Sequence, residues 1–109
     1  VYDMVRLSDN GHQKDNCDQF LSIFEREGCR MVEMSCAEHD RHAAASQFIT
    51  HTIGRILAQL NLKSTPINTK GFEALLKLTE NTVSDSFDLY YGLFMYNVNA
   101  TEQIEKLER

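Results

Sequence analysis

Ser35-Cys36-Ala37-Glu38 has the Ser-x-x-Glu form of a capping box, in which a hydroxyl and a carboxylate each satisfy a free N–H at a helix start. From there helical spacing runs on to about Leu60, and the chain's single proline lies beyond it at position 66. A helix of that length in a chain of 109 residues dictates a mainly α architecture. At 100° intervals, His42, Ile49, Ile53, Ile56, Leu57 and Leu60 gather on one side. Asp40, Ala43, Gln47, Thr50, His51 and Gly54 gather on roughly the opposite flank. That flank is polar yet lined with small residues, unlike a solvated face rich in Lys and Glu.

The rest of the chain is read around this helix. Val1 to Leu7 alternates apolar and polar side chains, as a half-buried strand does, and Ser8 to Lys14 reads as a polar loop. Cys17, Phe20, Leu21 and Phe24 then mark an amphipathic helix that Asp15 can cap and Gly28 can stop. Arg30 to Met34 reads as a second short strand, so residues 1–35 form a strand-helix-strand unit too small to stand as a sheet domain. After a connector at residues 61–69, Phe72, Leu75, Leu76 and Thr79 mark a short helix broken at Asn81-Thr82. Ser84 or Ser86 can cap the next helix, whose Phe87, Tyr90, Tyr91, Phe94, Met95 and Val98 form a broad apolar band suited to a core or a subunit interface. Asn99 can cap a last helix that still runs at the final residue. Both ends are therefore expected to lie inside a longer polypeptide.

A formal net charge of -5 without a Lys/Arg stripe argues against nucleic acid as a partner. No apolar run approaches the roughly 20 residues needed to span a membrane. Cys17, Cys29 and Cys36 have no zinc-like spacing, so reduced thiols in a reducing compartment are expected, with no metal site. Glu38, His39, His42 and His51 are ligand types, but no His-Glu-x-x-His occurs. Ser46 and His42 lie one turn apart, yet a hydroxyl inside a helix usually bonds back to a carbonyl. The five glycines, at 11, 28, 54, 71 and 92, make no phosphate loop. His39-Asp40 fits a solvated first turn. Gln47, Thr50 and His51 sit beside Ala43, Ala44, Ala45 and Gly54, where a backbone or a ligand can approach closely, and polar groups there must find partners.

From "VYDMVRL" through "FEREGCRMVEMSCAEHDRHAAASQFITHTIGR" and "STPINTKGFEALL" to "SDSFDLYYGLFMYNVNA", the sequence resembles the plant arogenate dehydrogenases and their prephenate-using relatives. The resemblance implies a helical dimerisation domain at residues 36–109, preceded at residues 1–35 by the tail of a Rossmann-type nucleotide-binding α/β domain. It implies NADP as cofactor, held mainly by an upstream domain, and arogenate or prephenate as substrate. It also implies a homodimer and a place in the chloroplast stroma, with a transit peptide outside this chain. The reaction implied is oxidative decarboxylation yielding tyrosine, with the histidine base upstream, so no catalytic residue is assigned within these residues and the 109-residue chain alone is expected to be inactive. An alternative is a non-enzymatic helical dimerisation or interaction module derived from the same family.

The family's helix motif is His-Asp followed by Ser-His-x-Pro. His39, Asp40 and Ser46 match it and are implied to be structural at the domain boundary. Gln47 stands in place of the second motif's His and Ile49 in place of its Pro, while Thr50 and His51 occupy the place of a further His. Lys70 and Lys77 lie near the position where bacterial relatives carry a carboxylate-binding Arg after a Gly-Phe element, here Gly71-Phe72. The resemblance thus implies Gln47, Thr50, His51, Lys70 and Lys77 as substrate-binding residues.

Overall fold

A computed structural model describes residues 1–4 and 11–109. They form six α-helices: α1 (Gly11–Arg26), α2 (Cys36–Ala43), α3 (Ile49–Ala58), α4 (Lys70–Val83), α5 (Phe87–Met95) and α6 (Ala100–Glu108). A π-helical turn, Ala44–Phe48, joins α2 to α3. The chain divides into two compact units, residues 1–39 and 40–109.

In the first unit α1 starts earlier than expected. Gly11 to Lys14 are already helical and Asp15 lies inside the helix rather than capping it. Gln13 and Lys14 are good helix formers, and Gly11 stands at the first helical position. Gly28, at φ 84°, stops the helix as expected. Its N–H donates to Glu25 O and the Cys29 N–H to Phe24 O, the paired bonds of a left-handed C-cap. Of the two expected strands, the described residues show one parallel bridge, between Tyr2 and Glu33. Tyr2 N donates to Val32 O and Met34 N to Tyr2 O, each at 3.0 Å. Val5 to Leu7 of the first expected strand and Ser8 to Asn10 of the expected loop lie outside the described residues. The capping role expected of Ser35 is present: Glu38 N donates to Ser35 Oγ at 3.1 Å. Asp3 adds an acceptor, its Oδ2 taking the Cys36 N–H at 2.9 Å, which places a carboxylate at the positive end of α2.

In the second unit the expected single helix is interrupted by the π-turn. A wide turn holds an extra residue, so side chains beyond it no longer fall where a 100° wheel puts them. His42 is exposed, as are Ile56 and Leu60 from the expected apolar side. The buried strip is instead Ala43, Ala44, Phe48 and Thr52. Hydroxyls tie carbonyls at and beside the turn: Ser46 Oγ donates to His42 O at 2.6 Å and Thr52 Oγ1 to Phe48 O at 2.8 Å. Phe48 is 1% exposed and stacks on Tyr90, with ring centroids 5.6 Å apart and 9° between planes; Phe94 lies 6.0 Å away. Ala44 and Ala100 are fully buried where α6 meets the π-turn.

α3 and α4 cross closely. A Cβ on Gly54 would collide with the Thr82 side chain, so only glycine allows this approach. The expected break at Asn81-Thr82 does not occur, and α4 continues to Val83. Thr82 bonds back to Leu78 O and Thr79 O and is buried against α3, which offsets its weak helix propensity. Thr69 caps α4 by accepting from Phe72 N at 3.2 Å. Of the two serines, Ser86 caps α5, accepting from Leu89 N at 3.2 Å. Asn99 does not cap α6 with its side chain. Asn97 organises that turn instead: its Oδ1 accepts from Asn99 N, and its Nδ2 donates to Asp40 O at 2.7 Å.

Candidate functional site

A polar cluster in the second unit forms where α3 meets the turn leading into α5. His51 and Arg55, four apart, share a face of α3, and the buried Thr52, three residues before Arg55, borders that face. Arg55 Nη2 donates to the Asp85 backbone carbonyl at 3.0 Å. Its guanidinium lies 5.5 Å from the Phe87 ring centroid and 5.4 Å from that of Tyr90, within cation–π range of both. Thr52 Oγ1 and Tyr90 Oη are 2.9 Å apart, so one hydroxyl ties α3 to α5 while also bonding Phe48 O.

His51 Nε2 stands 3.8 Å from Asp85 Oδ2, an ion-pair distance and too long for a hydrogen bond. The imidazole side chain is 16% exposed, the carboxylate 46%. Two ring or guanidinium nitrogens here, His51 Nδ1 and Arg55 Nε, are buried without a hydrogen-bond partner. Such groups cost free energy unless something pairs with them. The cluster can bind and orient polar groups. It holds no Ser or Cys nucleophile paired with a base. Among the described residues no three His, Cys, Asp or Glu side chains converge as a metal site would require. Among the described residues Cys17, Cys29 and Cys36 form no disulfide, and no helix is long and apolar enough to cross a membrane.

Residues 56–109 match the family described as TYRAAT1-like, C-terminal domain. The chain is 68% identical over 106 residues to arogenate dehydrogenase 1, chloroplastic, of Arabidopsis thaliana, covering 97% of the chain and 17% of that relative. It is 61% identical over 108 residues to arogenate dehydrogenase 2, chloroplastic, of the same plant, covering 99% of the chain and 30% of that relative. Along almost its whole length the chain is similar to these arogenate dehydrogenases. It spans less than a third of the length of either relative.

The residues that resemblance to the arogenate dehydrogenase family singles out fall in three places. Gln47 is exposed on the π-turn, Thr50 is exposed one turn along, and His51 is half-buried in the cluster above. Lys70 and Lys77 are exposed on α4. None of the described hydrogen bonds or ion pairs joins either lysine to Gln47, Thr50 or His51. His39 is exposed on α2, Asp40 lends its carbonyl to Asn97, and Ser46 bonds back to His42 O as a helix hydroxyl does.

Arg55, Asp85, Thr52, Tyr90 and Phe48 were not singled out by sequence reasoning. The spacing of His51 and Arg55 was a usable signal, because two long polar side chains four apart on a helix of small and apolar residues need a common partner. Nothing local in the sequence points to Asp85. The described residues also do not fit a dinucleotide: Gly54 is filled by Thr82, Gly28 serves as a C-cap, and no glycine-rich turn opens a helix beneath a strand.

Proposed function

We propose that this chain forms part of an NADP-dependent arogenate dehydrogenase, an enzyme of tyrosine formation by oxidative decarboxylation of arogenate, with prephenate as the alternative substrate. The observation that carries this reading is 68% identity across 97% of the chain to a protein named arogenate dehydrogenase. In this reading residues 1–35 are the tail of the nucleotide-binding α/β domain and residues 36–109 the helical substrate and dimerisation domain. The cofactor is held by residues other than these, and the enzyme works in the plastid, as the names of both relatives state for those proteins. Gln47, Thr50 and His51 contribute to substrate binding from the π-turn and α3, and Lys70 and Lys77 supply positive charge from α4.

In the full-length dehydrogenase, Gln47→Ala and His51→Ala are each expected to lower kcat/KM for arogenate about tenfold, the scale of one lost hydrogen bond to a charged group of ~1.5–3 kcal/mol. Thermal unfolding should change little. Wild-type kinetics in both variants would refute this assignment of the site.

The dimer is proposed to form through the helical domain, with the α5 face as its apolar patch. Phe87, Tyr91 and Met95 on α5, with Tyr96 and Val98 just beyond it, are all exposed, the kind of apolar side chains a subunit interface covers. Light scattering after size exclusion is expected to give twice the chain mass at micromolar concentration, and a monomer would count against the interface.

A further inference from the structure

One strip of α3 grips Asp85 at two points. Arg55 holds its backbone carbonyl at 3.0 Å, and the Phe87 and Tyr90 rings beside that guanidinium, 5.5 and 5.4 Å away, help keep the donor in place. With its backbone fixed, Asp85 directs a carboxylate oxygen to 3.8 Å from His51 Nε2. His51 lies one turn before Arg55 on the same strip, and its other ring nitrogen is buried without a hydrogen-bond partner. An imidazole with no second anchor owes its orientation to whatever charge faces its remaining nitrogen. We propose that Asp85, set in place by Arg55, is a positioning residue whose carboxylate orients the His51 imidazole for substrate binding. This rests on the reading that His51 contributes to substrate binding, and adds the group on which that contribution depends.

The test is a double-mutant cycle in the full-length dehydrogenase, using Asp85→Asn, His51→Ala and the pair. Asn keeps the shape and the backbone carbonyl that Arg55 holds, so only the carboxylate charge is removed. Asp85→Asn is expected to raise KM for arogenate about three- to tenfold, leave kcat within about twofold, and leave the unfolding temperature unchanged. Asp85→Glu should restore most of the loss, and Asp85→Asn should add nothing once His51 is Ala. If His51→Ala is impaired while Asp85→Asn behaves as wild type, the positioning role is overturned and the binding role of His51 stands. Additive effects, or an effect of Asp85→Asn where His51→Ala has none, overturn the positioning role as well. Wild-type kinetics in His51→Ala alone overturn the underlying assignment of the site.

Discussion

α1 and the rod formed by α2, the π-turn and α3 are both amphipathic by spacing, yet their apolar side chains meet different fates. Along α1 no residue is buried: Phe20 is 60% exposed, and its one aromatic contact is an edge-to-face pair with Phe24 in the same helix. On the rod, Phe48 is almost wholly enclosed between Tyr90 and Phe94 on α5, and α6 closes over Ala44. Periodicity specifies that a stripe exists. Burial requires another element to arrive on it, and among the described residues that happens in the second unit.

The contrast can be broken by mutation. Phe48→Ala is expected to cost about 3–5 kcal/mol, the range for emptying a packed aromatic site, and to lower the urea midpoint of unfolding accordingly. Phe20→Ala should stay within ~0.5 kcal/mol, as for an exposed side chain. Equal shifts for the two variants would mean that α1 is covered in solution. The smallest effect concerns α6. Lys106 bonds to Glu102 at 2.8 Å one turn away and holds that carboxyl below its ordinary range, first through the hydrogen bond and then through its charge. Because the folded value is depressed, the stabilisation is present above the ordinary carboxylate range and is lost as pH falls through the lowered value. The unfolding midpoints of wild type and Glu102→Gln should therefore differ slightly at neutral pH and converge in acid or in about 1 M salt. A difference that persists in acid would exclude the ion pair as its cause.

What could be read from the sequence was what depends on near neighbours. Ser35, Ser86 and Gly28 end or begin helices through bonds to residues within five positions, and the chain order alone reveals them. The connector at residues 61–69 belongs with these, closed by a network of Ser64, Thr65 and Asn68. The faces of the long helix differ from those of a regular wheel because one wide turn, Ala44–Phe48, changes the angular count for everything after it. Thr82 was taken for a breaker because its helix propensity is visible and its neighbour Gly54 is not. Of the two strands expected from alternation, the described residues show the Tyr2–Glu33 bridge, since alternation records a preference for pairing without supplying partners. Within the candidate site, His51 could be named from the chain, whereas Asp85 and Tyr90 enter it only through tertiary packing.

The π-turn gives helix winding an unusual authority over this molecule. Relaxing Ala44–Phe48 to ordinary winding with every residue kept would swing His51 and Arg55 by about 100°, away from Asp85, whereas removing one residue there would absorb the bulge and leave their facing unchanged. A single-codon deletion in the bulge is thus gentler than its size suggests, and the polar cluster can be lost through winding alone without altering one of its members.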